Sequence, residues 1–295
     1  MGLQRISPFG YRAGESGADH PPHPSPSHRR TERPPMHGIV TIIDKGPVRV
    51  HSYMAPDDSL NVTTQLIETP GRVIAVDAQF ALAYADEVVA YARSLGKPLD
   101  RLVISHAHPD HFHGAARFGV PVHALASVRD QIAAQGDGQD PTGTVIPVAD
   151  LLPTRVVTPG TEVVDGVTLE FVAVAGGEAP DELVIKLPEY GVLIAQDLVY
   201  HRTHLFMGNN DITGWQRALD RLAADPAYDT VLPGHGLPAG REVFADVARY
   251  LADARELLGD DGEAYKKAIL ARYPDWRGPF LVDIGNQYLF GTRAG

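Results

Sequence analysis

Between Ser105 and Gly114 the chain reads Ser-His-Ala-His-Pro-Asp-His-Phe-His-Gly, so five metal-binding side chains, His106, His108, Asp110, His111 and His113, fall within eight positions. A lone histidine is usually structural, but this density of imidazole and carboxylate donors is a metal-ligand pattern. His106 and His108 have the two-residue spacing that lets both rings converge from one side of an extended segment. Pro109 keeps the cluster out of an ordinary helix interior, so Asp110 and His111 lie beyond a turn and can face a second position. The chain has no cysteine, which excludes thiolate zinc sites, iron–sulfur clusters, disulfides and a Cys nucleophile. Any metal must therefore be held by His and carboxylates. No Gly-x-Ser-x-Gly elbow offers a competing serine nucleophile.

The elements that must position this cluster are short and strand-rich. It follows an apolar strand expected over Arg101 to Ser105. Upstream, β-rich runs at Gly38 to Ile43, Val48 to Tyr53, Thr63 to Glu68 and Val73 to Val76 are separated by turns such as Lys45-Gly46-Pro47. A helix follows them with Ala81, Tyr84, Val88, Val89 and Ala92 on one stripe and Gly96 as its stop. Downstream strands are expected at Thr161 to Val164, Val167 to Val174, Glu182 to Leu187, Val192 to Ala195 and Thr230 to Leu232. Helices are expected at Ala124 to Ala134, Gly214 to Ala224, Arg241 to Leu258 and Glu263 to Arg272, with Thr213 and Gln216 as a capping box. Strand-rich halves interrupted by helices imply an α/β sandwich of mixed sheets rather than regular βαβ alternation.

The first 37 residues differ in kind. Their prolines, with Gly, Ser, Arg and His, cannot bury enough apolar surface to offset the entropy of ordering. A disordered tail is expected over 1–37, its His20, His23, His28 and His37 being solvated, and a single domain over 38–295. Across its 295 residues the chain has 26 Lys plus Arg against 37 Asp plus Glu, a net charge of −11. That balance argues against nucleic acid or an anionic membrane as partner. No run reaches the ~18 apolar residues of a membrane span. Gln4, Arg5 and Pro8 interrupt any secretory signal at the N-terminus, so a cytoplasmic location is expected. Nothing in the sequence sets an oligomeric state.

His-Ala-His-Pro-Asp-His is similar to the H-x-H-x-D-H signature of the metallo-β-lactamase superfamily, and the resemblance extends over about residues 38 to 250. It implies an αββα fold, two mixed sheets flanked by helices, with one or two metal ions at the sheet edges. It also implies further ligands. His235, in Leu232-Pro233-Gly234-His235-Gly236, is expected on the second metal together with Asp110 and His111. Asp197 corresponds to the bridging aspartate, with Gln196 where the superfamily usually has Gly. Most dinuclear members carry a His in a turn between these elements, yet no His stands between His123 and His201. The loop Ala175 to Glu182 occupies that place, and its Glu178 resembles the glutamate of the alkylsulfatase branch. Glu178 is thus the expected third ligand of the first metal beside His106 and His108, with Asp181 and Glu182 as rivals.

What the resemblance implies chemically is a metal-dependent hydrolase in which a metal-bridging hydroxide attacks a small carboxylic ester, lactone or sulfate ester. Asp110 is the catalytic residue, holding metal and orienting the hydroxide. Two divalent ions are expected, zinc by default for a His-rich site. The three anionic ligands Asp110, Glu178 and Asp197 make manganese or iron more tolerable. The missing histidine argues against hydroxyacylglutathione hydrolases and typical acyl-homoserine lactonases. Two other readings compete: a mononuclear iron oxygenase built on His106, His108 and Glu178 as a two-histidine, one-carboxylate set, and an inactive binding module. Tyr200 and His204, a few residues after Asp197, are expected to contact substrate. Asp77 either supports the metal loop from beneath or caps the following helix. His113 is expected no closer than behind the ligands, and His51 and His123 carry no assigned role.

Overall fold

The computed structural model describes residues 36–291. The tail reading, with His20, His23 and His28, lies outside them up to residue 35. His37 is inside, and its backbone N–H donates to Glu87 Oε2 at 3.0 Å.

β1 (Ile39–Asp44), β2 (Arg49–Met54), β3 (Thr63–Glu68) and β4 (Val73–Val76) pair antiparallel in sequence order. The first turn is set by Gly46 at φ +81°, whose N–H bonds Asp44 Oδ1 at 2.8 Å. Helix α1 (Leu82–Ser94) buries Ala85, Val88, Val89 and Ala92, the spacing of one helical face, and stops before Gly96 at φ +75°. It leads to β5 (Leu99–Val103), parallel to β4, and then to the one-turn helix α2 (Pro109–Phe112) that carries the histidine cluster. β6 (Val122–Ala124), α3 (Ala126–Gln135), the small hairpin β7 (Gly138–Gln139) and β8 (Val145–Ile146), α4 (Val148–Leu151) and β9 (Arg155–Val156) follow. The first sheet has the order β1-β2-β3-β4-β5-β6-β9.

The second sheet is β10 (Gly160–Val164), β11 (Val167–Ala175), β12 (Asp181–Leu187), β13 (Val192–Tyr200) and β14 (Thr230–His235), in that order. Its last pair is parallel because α5 (Ile212–Ala223) returns the chain to the same end. Side chains alternate between two cores, as the period of a strand requires. Leu183, Ile185, Leu187, Val192 and Ile194 pack into one core with Leu66, Ile74 and Leu102 of the first sheet. Val184, Leu193 and Ala195 point the other way, against α5, α6 (Glu242–Leu257), α7 (Gly262–Arg272) and α8 (Pro279–Leu289). The layers are therefore helix, sheet, sheet, helix, which is the αββα sandwich expected.

Local expectations are corrected: the strand expected over Arg101 to Ser105 is β5 at Leu99–Val103, ending before the turn into the histidine cluster. The α5 cap is Asp211, whose side chain accepts from Gly214 N–H at 2.8 Å. Thr213 and Gln216 lie inside the helix and take Arg255 instead, at 3.1 and 3.0 Å. β13 and β14 run past Ala195 and Leu232, to Tyr200 and His235. α8 was not anticipated: Gly278 at φ +66° and Pro279 in the first turn start it, the arrangement that fits a ring with no N–H to offer. Among the described residues no helix is long and apolar enough to cross a membrane.

Candidate metal centre

β4 delivers Asp77 in a left-handed conformation, φ +63°. Its Oδ1 accepts Ser105 N–H at 2.7 Å. Its Oδ2 accepts Ser105 Oγ–H and His111 Nδ1–H, each at 2.7 Å, and the Gln196 amide. The α1 N-cap is Ala81, with no side-chain cap bond. Of its two possible roles, Asp77 therefore supports the metal loop.

That support fixes which ring nitrogen each histidine offers. Ser105 Oγ takes His106 Nδ1 at 2.8 Å, Asp77 takes His111 Nδ1, and the Leu60 carbonyl takes His235 Nδ1 at 2.8 Å. All three rings thereby turn Nε2 toward the centre, the orientation control a metal ligand requires. His108 sits at the α2 N-cap and presents Nδ1. Gly234 is required before His235, since a Cβ there would collide with Asp197 Oδ1.

Three sets of donors lie close together among the described residues; in one of them Asp77 is already bound to Ser105, His111 and Gln196, which leaves two groups facing the centre. In the first, His106 Nε2 is 3.1 Å from His108 Nδ1, 3.5 Å from Glu178 Oε2 and 3.8 Å from Asp197 Oδ2. Glu178 Oε2 is also 2.8 Å from His108 Nδ1. In the second, Asp110 Oδ2 is 3.4 Å from His111 Nε2 and 3.3 Å from His235 Nε2. Asp197 touches both groups, reaching His111 Nε2 at 3.2 Å and His235 Nε2 at 3.1 Å. His111 Nε2, Glu178 Oε2 and Asp197 Oδ1 are buried without a hydrogen-bond partner. Buried polar atoms are rarely left so. They crowd other donor atoms, His111 Nε2 against Asp197 Oδ1 at 3.2 Å and Glu178 Oε2 against His108 Nδ1 at 2.8 Å, a convergence of imidazole and carboxylate that fits divalent ions.

The electrostatics agree. Burial pushes His106 well below its ordinary pKa and the neighbouring His111 adds to this, leaving a neutral donor. Burial would raise Asp110 and Asp197, but the adjacent His111 and His235 hold both well below the carboxylate range. His235 is pushed up to about 10 because Asp197 and Asp110 outweigh its burial. Metal uptake must therefore displace protons. Burial raises Glu178, with His108 opposing it.

All seven expected ligands converge here, and the rivals do not. Asp181 accepts from Gln131 at 3.0 Å, and Glu182 Oε1 accepts Ala179 N–H at 3.3 Å. Tyr200 donates to Asp197 Oδ2 at 2.8 Å and stacks on His235 with centroids 4.6 Å apart, so it holds ligands as well as lining the cleft. His204 is corrected. Its Nδ1 pairs with Tyr250 OH at 3.0 Å among the helices, and it is absent from the cleft walls. Its neutral ring is explained by burial, which lowers it to about 4. His113 stacks on Phe80, and His51 pairs with Glu68 at 2.9 Å in the first sheet. Sequence reasoning missed Ser105 as an anchor, although it adjoins the cluster, and Gln196 as a partner of Asp77.

The two groups floor a cleft of about 500 Å³. Its walls are mainly apolar, Leu60, Phe80 and Phe206 with Leu281, Ile284 and Tyr288 from α8, and carry the amides of Gln131, Gln135 and Asn209. Among the described residues no Lys or Arg lines it.

Residues 58–235 match the model of the metallo-β-lactamase superfamily. The chain belongs to that superfamily. Within it, the chain is similar to a linear primary-alkylsulfatase of a Pseudomonas species, 28% identical over 241 residues, 66% of this chain and 45% of that protein. An alkyl/aryl-sulfatase of Saccharomyces cerevisiae is 24% identical over 261 residues, 71% of this chain and 39% of that protein. The chain thus spans less than half the length of either relative. Among solved metallo-β-lactamase folds, one from Pontibacter korlensis superposes with a TM-score of 0.60 at 21% identity, covering 73% of this chain and 99% of that one. The FIM-1 enzyme of Pseudomonas aeruginosa in its mono-zinc form gives 0.56 at 21%, covering 75% and 98%. At such identities the likeness is one of fold.

Proposed function

We propose that this chain is a dinuclear metal-dependent hydrolase of small esters, with the sulfate ester of an aliphatic alcohol as the favoured substrate. The observation that carries it is the pair of complete donor groups sharing Asp197 at the floor of an apolar cleft. Glu178 in place of a third histidine, and similarity to two proteins named as sulfatases, support the sulfate ester over the carboxylic ester and lactone. Divalent ions, zinc foremost, would supply Lewis acidity and a water acidified to near neutral pH.

The chain's own residues do the rest. His106, His108 and Glu178 would hold one ion, Asp110, His111 and His235 the other, with Asp197 on both. Asp110 reaches the cleft and accepts a hydrogen bond from the attacking water, fixing its orientation. Tyr200 keeps the Asp197 carboxylate in place through its 2.8 Å bond. With no cationic side chain among the described residues of the walls, the metal centre would supply the positive charge that binds an anionic ester head. The apolar walls exclude water and take the alcohol portion.

The iron oxygenase and the inactive module are disfavoured because the second group is as complete as the first. Metal analysis after gentle purification is expected to give close to two ions per chain, with turnover of medium-chain alkyl sulfates that a chelator removes. A single iron with no second metal would overturn the dinuclear reading. Two ions with turnover of carboxylic esters alone would overturn the sulfate assignment.

The α8 wall gives a further prediction. Ile284→Asp should withdraw apolar contact worth two or three methylenes, about 2 kcal/mol at ~0.8 kcal/mol each, and raise KM roughly thirtyfold for a long-chain substrate. A short-chain ester should show little change in kcat. Equal effects on both chain lengths would remove α8 from substrate binding.

A further inference from the structure

We infer that Gln196 is a positioning residue: its amide clamps Asp77 of the first sheet to β13 of the second, and so holds Asp197 where both donor groups can use it. The observations are local and mutually dependent. Gln196 is buried and left-handed at φ +45°, a conformation glycine takes freely and glutamine does not. The pairing of β13 with β14 slips on both sides of it, between Ile194 and Gln196 and between Gln196 and Tyr200. Through that irregularity Gln196 turns to Asp77 while Asp197 turns to His111 and His235.

Gln196 Oε1 is buried with no partner, so the side chain bears a desolvation penalty on top of the backbone strain. The Nε2 bond to Asp77 Oδ2 is what offsets them. That oxygen also carries His111 Nδ1 and Ser105 Oγ, and Ser105 in turn anchors His106. One amide therefore touches a ligand support from each donor group on the first sheet and stands next to the shared carboxylate on the second. A glycine here would relax the backbone and lose the connection. Without the clamp the two groups can drift apart, and Asp197 then serves one of them only.

The test rests on the dinuclear reading and separates its failure from that of the clamp. Zinc titrations of the full chain, in competition with a chromophoric chelator, give the affinity of each equivalent. Gln196→Met keeps the side-chain volume and removes the donor; Gln196→Gly removes the strain as well. Both variants should retain the first ion and bind the second at least ~10-fold more weakly, the scale of losing a ligand's support. Gln196→Gly should melt no lower than the parent when measured without metal, and Gln196→Met lower than Gln196→Gly. If the parent takes only one ion, the dinuclear reading fails. If the parent takes two and both variants bind two with parental affinity, or weaken both ions equally, the clamp is overturned.

Discussion

Alanine at Asp110 is expected to abolish turnover, by roughly a thousandfold or more, while the protein keeps its fold. The carboxylate pairs with the His111 and His235 rings and lines the cleft, so its partners among the described residues belong to the site rather than to the hydrophobic core. Its loss removes one donor of the second group and the acceptor that orients the attacking water, a contribution of about 10²–10⁴ for a positioned acid–base group. Circular dichroism and steady-state kinetics at saturating metal check it. Excess metal should refill the site without restoring the rate, because the orienting oxygen is still missing. Turnover within tenfold of the parent would sink the role assigned to Asp110.

Glu178→Ala should strike the other group. If about 12 kcal/mol of zinc affinity is shared among four donors, one donor is worth about 3 kcal/mol, or roughly a hundredfold in the affinity of the first ion. Glu178→His should do less damage, since it restores the donor type most dinuclear relatives use there, although the shorter reach displaces the ion. Asp181→Ala is the control: Asp181 bonds Gln131 and joins neither donor group, so metal content should hold. Glu182→Ala is no such control, because Glu182 is buried against the loop and its Oε1 holds the Ala179 N–H. Zinc titration of the three variants reads the result. Parental affinity in Glu178→Ala would refute the assignment and with it the reason for a more anionic centre.

The half of the site that is contiguous in sequence was legible, because His106, His108, Asp110 and His111 declare themselves by density alone. Glu178 became legible through a departure, a carboxylate where a histidine was due. β3 and β4 could be read to the residue from their β-rich composition and flanking turns. What escaped depends on long-range geometry. The partnership of Gln196 with Asp77 joins two sheets and leaves no local pattern. Proximity to Asp197 in sequence misplaced His204, because β13 ends at Tyr200 and the chain then turns towards Tyr250 of α6. α8 escaped because its apolar side chains serve two surfaces, Val282 facing the helical core and Ile284 the cleft, which blurs a single-stripe period.

The division of the candidate ligands between two sheets would make a loaded centre a fastener as well as the proposed reaction site. His106, His108, Asp110 and His111 follow β5 of one sheet, whereas Glu178, Asp197 and His235 belong to the other. In a chain without cysteine, ions held between them close long loops that no disulfide closes, and they bind only where the halves already meet. Such ions stabilise the folded state by about 2.7 kcal/mol at a hundred times their dissociation constant. On the proposed function, the melting temperature of this protein should then read out metal supply, and starvation for the ion should loosen the sandwich along the seam where chemistry would occur.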